Sequence, residues 1–260
     1  MKSRKIHHLL SLAALAVLAL LAGCSDDATG PATITQEEAD DLATQASASL
    51  AVDNGGLLAL LPVVGAEEPA KSLPDSGERT GELGSLSYRY SVRFYNEAGE
   101  ELPGYDPELA VRLQTELRVE GDVTTLRYQA QVRHRSQLQV HGIDAGADTL
   151  TFNGDASDTC QGSFTALMAQ YQHHVRVESQ ATIQNVQYLK PVEAGELPLA
   201  GLVTMQMTAS RFRDAARTQL EAQMRATVTV RFTGGESAEV EVEGGWTYQL
   251  NLRTGEIVRA

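Results

Sequence analysis

Few side chains in this sequence are equipped for chemistry. Beyond the first ten residues the histidines are His134, His141, His173 and His174, and beyond residue 24 the only cysteine is Cys160. Neighbouring residues on a strand point to opposite faces, so His173 and His174 could not hold one metal ion together; His174 is expected in solvent and His173 facing inward. Cys160 reads as a small, at least partly buried side chain, or as a nucleophile that His173 or His174 approaches in the fold. The acidic stretch Asp144, Asp148, Asn153, Asp155 and Asp158 offers the several oxygen ligands that calcium prefers. Its spacing is not that of an EF-hand loop, and polar turns between short strands would have the same composition. Glu239, Glu241 and Glu243 fall on one strand face and are expected to form a solvated edge that resists edge-to-edge pairing.

No G-x-S-x-G elbow, H-E-x-x-H pair, phosphate-cradling glycine loop or local cysteine-protease signature is present. The expectation is therefore a protein without catalysis, cofactor or resident metal. Carboxylate pairs that cleave glycosides are assembled by folding and leave no reliable mark in a sequence, which keeps an envelope hydrolase as an alternative.

The elements that must position these groups fall into two kinds. Thr35 and Glu38 form a T-x-x-E capping signature, and Ala39, Leu42, Ala43, Ala46 and Leu50 then lie on one stripe, which predicts a helix over 36–51. An apolar run over 56–65, broken by Pro62, follows; burial over the domain is its expected fate, with a membrane-touching loop or a lid as alternatives. Residues 66–84 read as a loop. From about residue 86 the period changes from 3.6 to 2 and stays there. Val111, Leu113, Leu117 and Val119 oppose Arg112, Gln114, Glu116 and Arg118. Leu126, Tyr128, Ala130 and Val132 oppose Arg127, Gln129, Gln131 and Arg133. Residues 120–122 suit the hairpin turn between them. Residues 164–177 fit both periods, and strand is chosen because the alternation runs further. Toward the end, alternating strands are punctuated by Gly234-Gly235, Gly244-Gly245 and Arg253-Thr254-Gly255, as in an antiparallel meander.

About ten strands at ~4.8 Å would make a sheet about 45 Å wide, whereas one helix covers only about 10–12 Å. The predicted fold is therefore mainly β: a curled antiparallel meander, as half-barrel, barrel or sandwich, with one N-terminal α-helix filling an open side. A membrane-spanning barrel is disfavoured by the 5% aromatic content and by the terminal residues Val258-Arg259-Ala260.

The N-terminus has a different logic. Lys2, Arg4 and Lys5 precede an apolar run from Leu9 to Ala22, the pattern of a secretory signal and too short for a good membrane-spanning anchor. It ends in Leu21-Ala22-Gly23-Cys24, which resembles the lipobox of bacterial lipoproteins. The resemblance covers this segment alone. It implies cleavage before Cys24, a diacylglyceryl group on the Cys24 thiol and usually acylation of the new amino terminus, hence attachment to a membrane through lipid. Ser25, where an aspartate favours inner-membrane retention, implies the outer membrane and a domain facing the periplasm. The divisions that follow are a signal peptide over 1–23, a lipidated tether over 24–34, a helix and covering segment over 35–85 and the β domain over 86–260.

Removing residues 1–23 leaves 18 basic against 34 acidic residues, a formal charge of −16. Such a surface repels phosphate backbones, so nucleic acid is not an expected partner. With Cys24 consumed by lipid, Cys160 would have no disulfide partner. The leading functional expectation is an apolar ligand or lipid held on the curved sheet, with Val228, Val230, Phe232, Trp246, Tyr248 and Leu250 as its lining. This architecture loosely resembles the half-barrel lipoprotein carriers of the outer membrane, a likeness of shape that does not fix function. The alternative is a structural or interaction lipoprotein with a solid core whose polar face meets an envelope protein.

Overall fold

Thr35 and Glu38 decide where the helix begins. In the computed structural model, which describes residues 34–53, 57–58, 76–83, 85–124, 128–165, 172–192 and 196–260, the Thr35 hydroxyl accepts the Glu38 N–H at 3.3 Å and the Glu38 carboxylate accepts the Thr35 N–H at 2.8 Å. This reciprocal cap satisfies two donors that the first turn would otherwise leave open. Helix α1 (Gln36–Leu50) buries Ala39, Leu42, Ala43, Ala46 and Leu50. The alanines allow close approach, and each leucine contributes about 1.5–3 kcal/mol by burial. The helix stops at Ala51, whose backbone turns extended. Val52 and Asp53 then donate to the carbonyls of Leu252 and Arg253, both at 3.0 Å.

The remainder is one antiparallel sheet. Its strands are β1 (Gly77–Leu83), β2 (Leu86–Tyr95), β3 (Glu101–Leu102), β4 (Arg112–Thr124), β5 (Tyr128–His141) and β6 (Thr149–Thr165). They continue with β7 (Gln172–Leu189), β8 (Ala200–Phe212), β9 (Leu220–Phe232), β10 (Ser237–Val242), β11 (Trp246–Asn251) and β12 (Ile257–Arg259). Apart from β3, which pairs with β2, the spatial order follows the chain from β1 to β12, and the two ends do not pair. The described residues hold twelve strands where about ten were expected, in a meander that curls without closing.

Alternation assigns the two faces. On β9 and β10, Ala226, Val228, Val230, Phe232, Ala238, Val240 and Val242 are buried while Arg225, Arg231, Glu239 and Glu241 are exposed. The same inner face carries Phe94 on β2, Leu113 on β4, Val140 on β5 and Phe152 on β6, all at most 1% exposed. The packing of α1 on the sheet runs over β9 to β12. One helix is about 10–12 Å wide and cannot hide strands that far along a sheet, so curling of the sheet accounts for their burial.

Several expectations are corrected. Residues 120–122 do not form a turn: β4 runs through them, with Gly121 opposite Val132 and Thr124 opposite Gln129. Glycine is needed at 121 for another reason. The Ser85 carbonyl approaches so closely that a Cβ would collide with it, and the backbone has φ +155°. Glu239, Glu241 and Glu243 do not mark an edge, because β10 lies between β9 and β11; they form a solvated outer face. His174 is buried, not solvated. Nearby, on β6, the Gly162 carbonyl accepts from Arg217 of the turn after β8 at 3.3 Å. Of the two-period segment, residues 172–177 are strand, whereas 166–171 and the His173 side chain lie outside the described residues. The expected signal peptide, Cys24, the tether and most of the 56–65 run also lie outside them; Leu57 and Leu58 pack on the core.

Candidate functional site

The inner face divides into two regions along the strands. In the first, beneath α1, stand five of the expected ligand-lining residues: Val228, Val230, Phe232, Tyr248 and Leu250 are 0–3% exposed and belong to the main core with the helix. Trp246 packs at its border, with the Arg259 guanidinium 4.8 Å from its ring centroid. The Tyr248 hydroxyl donates to Asp40 Oδ1 of α1 at 2.7 Å. Burial, and then this bond, hold the phenol well above its ordinary range. The space those side chains face is occupied by the protein's own helix.

The second region lies further along the same face. Val175, Val177 and Ala209 form a separate apolar cluster, with Cys160 and Met224 packed against it. Cross-strand register places Val132, Cys160, Val177, Ala209 and Met224 in one row. Beside it, one residue step of the alternation closer to the core, is a row containing Tyr88, Val119, His134, Asp158 and Ser179. Asp158 points to the inner face by its register, yet its side chain is 56% exposed. Water therefore reaches this row at Asp158, although Val119 in the same row and Val177 and Ala209 in the next are buried.

Here polar groups converge. His134 Nδ1 lies 2.7 Å from Asp158 Oδ1 on the adjacent strand, and His134 Nε2 lies 3.2 Å from Ser136 Oγ, two residues along β5 on the same face. An ionised carboxylate can only accept, so Nδ1 carries the hydrogen it shares with Asp158. In the neutral ring Nε2 is then bare and accepts the Ser136 hydroxyl hydrogen. The neighbours of Ser136 in its row are Leu117 on β4 and Ala156 on β6, with Ala181 beyond Ala156. No family model, curated protein or solved structure matches the chain.

The other candidate groups are dispersed. Asp144 accepts the Gly146 N–H in the turn before β6, and the Asp148 carbonyl accepts the Lys190 N–H. Asp155 accepts the Thr182 hydroxyl on the outer face, opposite to Asp158. Of the expected calcium ligands, Asp155 and Asp158 thus lie on opposite faces of β6. Among the described residues no group of three or more His, Cys, Asp or Glu side chains is placed to hold a metal ion. A cleft of about 550 Å³ opens near the β1–β2 hairpin, lined by Glu82, Ser87, Glu120 and Arg133 among others. It is polar and does not include the His134 group.

His134 and Ser136 were not among the residues that sequence alone brings together. The signal was present: continuing the alternation of β5 past Arg133 puts both on the face that carries Ala130, Leu138 and Val140. Two polar residues in an apolar register need partners.

Proposed function

We propose that this protein is a lipid-anchored envelope lipoprotein whose curled sheet receives an apolar ligand on the part of its inner face beyond α1. The observation that carries the proposal is the second apolar cluster, Val175, Val177 and Ala209 with Cys160 and Met224, separate from the main core and adjacent to an inner-facing carboxylate that remains in water. Apolar side chains beside a few convergent polar groups are the usual makeup of a ligand site. The lipobox at Leu21-Ala22-Gly23-Cys24 supports the anchor, and Ser25 supports the outer membrane with the domain facing the periplasm. The binding face moves from the residues under α1 to this neighbouring strip.

The test is to purify the protein from native membranes and examine what accompanies it, by native mass spectrometry and lipid extraction. One noncovalent apolar ligand, released reproducibly and absent from Val177→Arg, is the expected result. A stoichiometric protein partner with no ligand would instead favour the interaction lipoprotein, a role to which the filled core under α1 is equally suited. Cys24→Ser should abolish lipid labelling and leave unprocessed precursor; labelling and normal cleavage of that variant would refute the anchor.

A further inference from the structure

We propose that Ser136, His134 and Asp158 form a nucleophilic relay that cleaves a carboxylic ester of an apolar acyl chain. Placing the acyl chain along Val177, Ala209 and Met224 rests on the ligand face proposed above; the relay rests on its own geometry. Nucleophilic serines work when a base within hydrogen-bond reach takes their proton and a third group orients that base. The distances of 3.2 Å from Ser136 Oγ to His134 Nε2 and 2.7 Å from His134 Nδ1 to Asp158 meet both conditions. The polarity is also right, because Asp158 fixes the tautomer that leaves Nε2 free to accept. A histidine serving only as a satisfied inward polar group needs no such order, and no serine at its far nitrogen.

Access fits the same reading. Ser136 is 6% exposed, at the floor of the face between Leu117 and Ala156, with the small side chains of Ala156 and then Ala181 on its β6 side. Asp158 stands at the open side. In the reaction, Ser136 Oγ bonds to the ester carbonyl carbon while its proton moves to His134 Nε2, and Asp158 stabilises the imidazolium. Collapse breaks the carbon–oxygen bond to the alcohol, which leaves with the proton from Nε2 and an acyl group on Ser136. Water then attacks the acyl-serine, giving its proton to His134. Breakdown releases the carboxylic acid and returns that proton to Ser136, so ester and water become acid and alcohol. Ser136 lies inside the ladder between Leu117 and Ala156, and its N–H is engaged there. Without that backbone donor for the oxyanion, turnover is slow and formation of the covalent adduct is the sensitive readout.

The experiment treats the full mature protein with an alkyl fluorophosphonate and maps the adduct by peptide mass spectrometry. The expected result is one adduct, on Ser136. His134→Asn should slow it at least about 100-fold, and Asp158→Asn, at a half-exposed position that tolerates change, should slow it without altering the circular dichroism spectrum. No adduct on Ser136 of the wild-type protein, or an adduct whose rate is indifferent to His134→Asn, overturns the relay. A parallel titration with the apolar fluorophore N-phenyl-naphthylamine separates the two proposals. Labelling without fluorophore binding keeps the relay and dismisses the apolar strip; binding without labelling does the reverse.

Discussion

Tyr248 on β11 donates a 2.7 Å hydrogen bond to the carboxylate of Asp40 on α1, joining residues 208 positions apart. Tyr248 is 3% exposed. Hydrogen bonds to charged groups contribute about 1.5–3 kcal/mol, so Tyr248→Phe should lower stability by about that amount, read as a shift in the urea midpoint with unchanged slope. The phenol is held above its ordinary value of 10.0, first by burial and then by Asp40. The stabilisation is therefore complete below that pH and is lost as pH rises through the folded-state value. Alkaline unfolding should be steeper in the wild type than in Tyr248→Phe.

Tyr188 should respond in the opposite sense to the same change. Its ring is fully buried and edge-on to Phe152 at 5.5 Å, and its hydroxyl has no hydrogen-bond partner among the described residues. A buried, unsatisfied polar group costs about 1–3 kcal/mol. Tyr188→Phe keeps the packing and removes that group, so its thermal midpoint should rise by several degrees. A fall would show that the hydroxyl is held by a bond.

The turn after β8 carries an acid-sensitive clip. Asp214 accepts the N–H groups of Thr218 and Gln219 and the Thr218 hydroxyl, and the Gln219 N–H bond foremost holds its carboxyl below the ordinary value of 3.8. Because the folded-state value is depressed, the clip is intact above the ordinary range and is lost as pH falls through the lower one. The amide proton shifts of Thr218 and Gln219 should titrate together in that acidic window and be flat in Asp214→Asn. Independent movement of the two amides would contradict a shared acceptor.

The cap of α1 gives a local prediction. Thr35→Ala removes the acceptor for the Glu38 N–H and should cost about 1 kcal/mol, with faster hydrogen exchange confined to the first turn of the helix. Thr35→Ser should restore protection. Equal exchange in all three proteins would mean that the packing of Leu42 and Leu50, and not the cap, holds that turn.

What residue types encode locally is what could be read in advance. The capping pair, the stripe of α1 and the paired-glycine turns of the last strands are short-range signals, and each appears where the spacing puts it. Gly121 is different: glycine followed by aspartate suits a turn, but here it serves the approach of Ser85, which lies in the turn just before β2. His174 is buried although alternation puts it on the face opposite Val175 and Val177. His134 and Ser136 share a face by periodicity, but their junction with Asp158 depends on the register of β5 against β6. The placement of α1 over Val228 and Val230, which turned an expected lining into core, is likewise a long-range choice.

In a meander each strand pairs with one made just before it, so hairpins can form progressively along the chain with short loops to close. Helix α1 is the exception. Ser47 lies 3.0 Å from the Gly255 carbonyl oxygen and Val52 pairs with Leu252, contacts with residues about 200 positions later. This early element must wait, with Leu42 and Leu50 uncovered, until the last two hairpins are made. A chaperone that shields this stripe, or a chain cut short before residue 246, would therefore have its effect on a protein whose sheet is largely formed but whose helix has nowhere to dock.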